Sequence, residues 1–117
     1  MRLIKSFGNA LRGLGIALKR EPNFQLQVFC AIFAIAAGIF LHISRFEWLI
    51  IVMASGLVLG LELYNTVLEK LLDLLKPRFT DQAGLVKDIA AGAVLVGAIT
   101  AGLVAALIFI PRLIERF

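Results

Sequence analysis

Cysteine and histidine each occur once among the 117 residues, as Cys30 and His42. A single thiol excludes an internal disulfide framework and a thiolate metal centre. Cys30 lies in an apolar run and reads as a small buried hydrophobe. His42 has no companion imidazole and reads as a solvated turn residue. Charge is scarce too: Asp, Glu, Lys and Arg make up 17% of the chain against 61% hydrophobic residues, with a mean hydropathy of +0.95. That balance excludes an ordinary soluble domain and reads as a membrane protein. The net charge of +4 then reports topology rather than a nucleic-acid partner. No G-x-x-x-x-G-K-[ST] loop and no H-R-D or D-F-G set occurs, so any nucleotide chemistry must be built from side chains on helices. The basic start is not followed by a short apolar core with a small-residue cleavage site, so no cleavable signal peptide is expected.

What is present reads as helix throughout, in one domain over residues 1–117. In residues 1–20, Leu3, Ile4, Phe7, Leu11, Leu14 and Leu18 recur at helical spacing, while Lys5, Arg12 and Lys19 fall seven apart on the other face. Such a helix is expected to lie in a membrane surface, its basic face toward anionic headgroups. Glu21-Pro22-Asn23 marks the next helix start, with Glu21 a candidate capping carboxylate. Residues 24–43 are long enough to cross a hydrocarbon core of about 30 Å. A short hairpin follows, with Trp48 read as an interfacial anchor. The second long helix, 47–75, is too long for the hydrocarbon alone and is expected to stop at Lys76-Pro77. A turn is expected over 78–84, with Asp81 as a cap, then a third helix over 82–110 ended by Pro111. Gly56 with Gly60, and Ala91, Ala98, Gly102 and Ala105, are small-residue stripes expected to pack helix on helix.

Basic residues set the orientation. Arg2, Lys5, Arg12, Lys19, Arg20, Lys70, Lys76, Arg78 and Lys87 fall on one side of these spans, and only Arg45, Arg112 and Arg116 on the other. The rule for basic loops puts the first group in the cytoplasm.

The chemistry-bearing stretch is 61–94. Glu62, Asn65, Glu69 and Asp73 fall within an arc of roughly 80° on one helix and form a polar stripe. Carboxylates directly after a membrane-like segment need a cation, a proton or a partner. Lys87 and Asp88 open the following helix, so the cluster reads as a metal-phosphate site at one interface. The pattern E-L-x-N-T-x-x-E-K-x-x-D, followed by K-D-x-A-A-G-A-V-L, resembles the small integral-membrane lipid kinases, the bacterial diacylglycerol kinase and undecaprenol kinase family. Arg2, Gly8, Gly13, Glu21 and Phe24 also fit the family pattern at the right separations. One departure is Gln27, which stands where many members of the family have Glu or His.

The resemblance implies an all-α membrane protein: an N-terminal amphipathic surface helix plus three transmembrane helices, in a homotrimeric bundle. It implies ATP- and Mg2+-dependent phosphorylation of a lipid alcohol, diacylglycerol or undecaprenol, with the site and the N-terminus cytoplasmic in a bacterial plasma membrane. The E-x-N-F start of the first span and the short N-terminal segment look more like the undecaprenol branch. Carried over residue by residue, Glu62 is the base for the lipid hydroxyl and Glu21 and Glu69 are the metal ligands. Arg2, Glu21, Asn65, Glu69, Asp73, Lys87 and Asp88 bind the nucleotide. ATP, the lipid alcohol, membrane lipids and further copies of the chain are the expected partners, and no nucleic acid. The competing reading is a non-enzymatic transport or assembly subunit using Glu62, Asn65 and Glu69 as an intramembrane relay.

Overall fold

The computed structural model describes residues 1–75 and 80–117, with the side chain of Thr80 outside the description. The expected stop at Lys76-Pro77 and the start of the turn at Arg78 lie outside the described residues. Four helices follow in order: α1 (Arg2–Arg20), α2 (Pro22–Leu41), α3 (Arg45–Leu75) and α4 (Thr80–Arg116). No strand occurs among the described residues. Helices α2, α3 and α4 are each long and apolar enough to cross a membrane.

Each junction has a local cause. Lys19 and Arg20 place positive charge in the last turn of α1, where orphan carbonyls gather. Gln25 Nε2 reaches back to donate to the carbonyls of Leu18 and Lys19, at 2.8 and 3.2 Å. Pro22 opens α2, where a missing N–H is harmless. Glu21 occupies the N-cap position but makes no side-chain cap bond, and its carboxylate is engaged elsewhere. His42 ends α2 in the left-handed region, at φ 53° and ψ 53°, an exposed turn residue as its isolation implied. Ser44 and Glu47 then form a reciprocal capping box for α3. The Ser44 amide donates to Glu47 Oε1 at 2.8 Å, and the Glu47 amide donates to Ser44 Oγ at 3.2 Å.

Helices α2 and α3 run antiparallel, as do α3 and α4. The second pairing keeps a steady register: Lys87 meets Asp73, Gly97 meets Leu61 and Arg112 meets Glu47. The apolar core, Leu41, Ile43, Ile51 and Ile108 with Trp48 packed against it, sits at the hairpin end. Most large hydrophobic side chains point outward instead, which suits lipid and not water.

Several expectations are corrected. Pro111 does not end the last helix, because α4 runs through it to Arg116. The segment beyond the proline is held by tertiary contacts: Arg112 Nη2 donates to Glu47 Oε1 at 2.6 Å, and the Arg116 guanidinium lies 4.5 Å from the Phe40 ring centroid. Residues 80–84 are helical rather than turn, so Asp81 sits in the first turn of α4 instead of preceding the helix. Cys30 is exposed, because its apolar run covers the outside of α2 as well as its packed side. Trp48, at the hairpin end, is half-buried against Gly38 and packs on the apolar core as well as standing next to the turn. Among the described residues the close approaches fall at Gly38 and Gly97, and a Cβ at Gly56 or Gly60 would meet none of them.

The two close glycines predict different costs. A Cβ at Gly38 would lie 2.7 Å from Trp48 Cη2 and 2.9 Å from Cζ2, on a ring that cannot flex. At Gly97 the clash is with Leu61 Cδ1 at 2.8 Å, the end of a side chain that can rotate. Both glycines lie inside helices, so the gain in helix propensity on going to alanine largely cancels in a comparison. Gly38→Ala should lower stability by about 1–2 kcal/mol relative to Gly97→Ala, within the usual range for overpacking. Thermal unfolding in detergent, followed by circular dichroism, checks this; equal midpoints would show that the Trp48 ring is not fixed.

Candidate active site

The expected stripe exists, and its members differ in depth. Glu62 and Asn65 are buried, at 3% and 6% exposure, although both are polar. Glu69 and Asp73, one and two turns further along α3, are exposed. One helix face therefore runs from enclosed bundle to open edge over about 17 Å at 1.5 Å per residue.

Amides and cations hold the carboxylates in place. Asn65 Nδ2 donates to Glu69 Oε1 at 3.2 Å, the spacing of neighbours four apart on a helix. Lys87 Nζ donates to Asp73 Oδ1 at 2.6 Å, joining the start of α4 to the far end of α3. Glu21, at the start of α2, pairs with Lys70 Nζ at 3.1 Å. Gln27, less than two turns further along α2, donates from Nε2 to Glu62 Oε1 at 3.0 Å. Among the described residues no cation pairs with Glu62, so the most buried carboxylate of the stripe is held by a neutral donor. Two buried acceptors have no hydrogen-bond partner among the described residues, Gln27 Oε1 and Asn65 Oδ1.

Beside Gln27 the bundle is not filled. A cavity of about 260 Å³ lies between α2, α3 and α4. Gln27 and Ser55 line it together with Ala34, Ile51, Ala98 and Gly102. The small residues expected to bring helices together on α4 thus leave space at this level.

Of the residues singled out in the sequence, the fold gathers Glu21, Glu62, Asn65, Glu69, Asp73 and Lys87 along the α2–α3 and α3–α4 contacts. Asp88 is exposed next to Lys87 and makes no hydrogen bond or ion pair among the described residues. Arg2 is not brought in: it lies at the far end of α1, about 27 Å along the helix axis from the junction with α2. No group of three or more His, Cys, Asp or Glu side chains able to hold a metal occurs among the described residues. Glu21 and Glu69 are a two-carboxylate set of hard oxygen donors, the kind magnesium takes together with phosphate oxygens and waters. Two contacts were not foreseen from the sequence, Gln27 with Glu62 and Lys70 with Glu21. Neither has a sequence signal, since each joins residues 35 or more positions apart.

Comparison with known proteins places this arrangement. The family model for prokaryotic diacylglycerol kinase matches residues 8–109. An undecaprenol kinase of Bacillus subtilis is 38% identical over 112 residues, covering 96% of this chain and 91% of that protein. A diacylglycerol kinase of Synechocystis is 35% identical over 114 residues, covering 97% of this chain; the chain spans 65% of that protein's length. A diacylglycerol kinase of Escherichia coli is 25% identical over 100 residues, covering 86% of this chain and 82% of that protein. With three membrane-length helices, a buried carboxylate at one depth and exposed charge at another, the chain belongs to the prokaryotic diacylglycerol kinase family and is a membrane enzyme of the lipid-kinase class.

Proposed function

We propose that this chain transfers the γ-phosphoryl group of ATP, with Mg2+, to the hydroxyl of a membrane lipid alcohol at the cytoplasmic face of a bacterial plasma membrane. The observation that carries the proposal is the graded stripe on α3. A water-soluble nucleotide and a lipid hydroxyl meet only if groups stand ready at both depths, and one helix face supplies them. Glu62, buried and paired with no cation among the described residues, takes the hydroxyl proton as the lipid oxygen attacks the γ-phosphorus. The bond from that phosphorus to the bridging oxygen breaks, and ADP leaves. Lys87, steadied by Asp73, sets positive charge beside the phosphates. Asn65 orients the Glu69 carboxylate. Glu21 and Glu69 would hold the metal, and Glu21 already attracts a cation, the Lys70 ammonium. When bound, magnesium neutralises charge on the β- and γ-phosphate oxygens. Asp88 and Arg2 complete the nucleotide-binding set.

Diacylglycerol and undecaprenol both present a primary hydroxyl on an apolar body. The 38% identical relative is an undecaprenol kinase, which makes undecaprenol the first acceptor to test. A non-enzymatic carboxylate relay loses its ground once the chain is placed among kinases.

Vesicles carrying the protein in a single orientation test the reaction and its sidedness together. ATP supplied to the face bearing residues 80–88 should phosphorylate the lipid, and ATP on the Arg112 face should not. Glu69→Gln and Glu62→Gln should each lower turnover by roughly 10²–10⁴-fold. Glu62→Gln should keep or raise thermal stability, because it removes a buried charge without changing shape. Parental turnover in Glu69→Gln would remove Glu69 from the mechanism, and activity only from the Arg112 face would overturn the orientation.

We further propose that the working unit is a homotrimer whose α1 lies in the membrane surface. In support, Gly56 and Gly60 face open space on α3, and the apolar residues of α1 are exposed. Arg2 is too far along α1 to reach its own cluster by the contacts seen, so a neighbouring copy is its natural recipient. Arg2→Ala and Glu69→Ala, each strongly impaired alone, should then complement when mixed equally from detergent. Roughly a quarter of sites would draw both required residues intact. No recovery after demonstrated subunit exchange would mean that each chain works alone.

A further inference from the structure

We infer that Gln27 is a positioning residue for the phosphoryl acceptor step: its amide holds the Glu62 carboxylate in the orientation that receives the lipid hydroxyl's proton. The inference rests on the reading of Glu62 as the base and concerns a residue of a different helix. The geometry that carries it is the 3.0 Å bond from Gln27 Nε2 to Glu62 Oε1, made across the α2–α3 contact. Asn65, on the same helix as Glu62, donates its amide nitrogen to Glu69 and also lies within side-chain hydrogen-bonding reach of Glu62, so Gln27 is the donor that comes from a different helix. With Glu62 Oε1 engaged by Gln27, rotation of the carboxylate is restricted.

The cost of this arrangement separates a functional role from a packing role. Gln27 Oε1 is buried with no partner among the described residues, and an unsatisfied buried acceptor is destabilising. A methionine or leucine would fill the same space against the apolar cavity walls without that cost, but would leave Glu62 Oε1 without this donor. The amide stands where an apolar residue would fill the space, and its nitrogen is on the carboxylate. A neutral donor also suits the task, since it orients the carboxylate without cancelling its charge as Lys or Arg would. The cavity beside Gln27 is lined almost wholly by apolar side chains, so the amide stands between the carboxylate and a space that an apolar chain can occupy.

Gln27→Met, nearly isosteric but without a donor, tests the assignment in the full-length protein in detergent–lipid micelles, with undecaprenol and diacylglycerol as acceptors and Mg-ATP as donor. Loss of a hydrogen bond to a charged group predicts a fall in kcat of roughly 10–100-fold. The KM for Mg-ATP and for the lipid should each stay within about threefold, since the bond serves the chemical step. The thermal midpoint should fall only modestly, because losing the unsatisfied Gln27 oxygen offsets part of the cost of leaving Glu62 Oε1 without this donor. A fall in kcat at nearly constant KM, in protein that stays folded at the assay temperature, is a combination a merely structural glutamine would not give. Gln27→Asn keeps the amide on a side chain one methylene shorter and should show a fall in kcat of the same kind. It carries the test alone if the Met variant does not fold. Gln27→Glu, equal in length and able to donate from its acid form, should recover part of the loss. Parental kcat in both Gln27→Met and Gln27→Asn overturns the role of Gln27 while leaving the kinase reading intact. A rise in lipid KM at unchanged kcat overturns it as well. A parent protein that phosphorylates neither lipid overturns the kinase reading and this role with it.

Discussion

A carboxylate enclosed among apolar helices is the constraint on which the rest of this structure depends. Glu62 is 3% exposed on a helix whose neighbouring surface suits lipid. On insertion scales a charged group at the centre of a spanning helix costs about 2.5–3.5 kcal/mol, so the surrounding fold has to compensate it. Among the described residues it does so with donors rather than with opposite charge. Gln27 supplies a neutral N–H from α2, and the cations Lys70 and Lys87 are held further out, by Glu21 and Asp73. Positive charge therefore lies toward the exposed end of the stripe, apart from the enclosed carboxylate.

The two ends of the bundle divide the work. At the hairpin end, the Ser44–Glu47 capping box, the Glu47–Arg112 ion pair, the Trp48 ring on Gly38 and the apolar cluster fix how the helices cross. At the other end, polar side chains replace that packing, and exposure rises from Asn65 to Asp73. Elements that open or exchange partners are drawn from the less tightly packed parts of a protein, and the candidate site lies in such a part. The steady register between α3 and α4 connects the two ends, so a core contact such as Leu61 with Gly97 also sets where Lys87 meets Asp73.

Helix boundaries show how local signals give way to tertiary ones. Proline at position 111 was expected to end α4 because it lacks an N–H and crowds the preceding turn. The helix continues because Arg112 and Arg116 are tied to Glu47 and Phe40 on other helices. Small residues show a related limit of local signals. Their spacing marks surfaces where backbones can approach, and among the described residues that approach occurs at Gly38 and Gly97 rather than at Gly56 or Gly60. Spacing cannot reveal which partner takes up each small-residue surface.

The sequence by itself determined that the chain is helical and membrane-spanning, and that Glu62, Asn65, Glu69 and Asp73 share a face. Those properties follow from composition and from the 3.6-residue period, which are local. It also held the lipid-kinase resemblance, through a motif set out along one helix and the start of the next. Only the tertiary structure decided the depth of each carboxylate and its partner, since both depend on residues distant in sequence. Gln27 with Glu62, Glu21 with Lys70 and Asp73 with Lys87 are contacts between helices, fixed by how α2, α3 and α4 pack. The distance of Arg2 from that cluster is likewise set by the junction of α1 with α2, where Gln25 caps the helix end, and no periodicity within α1 encodes it.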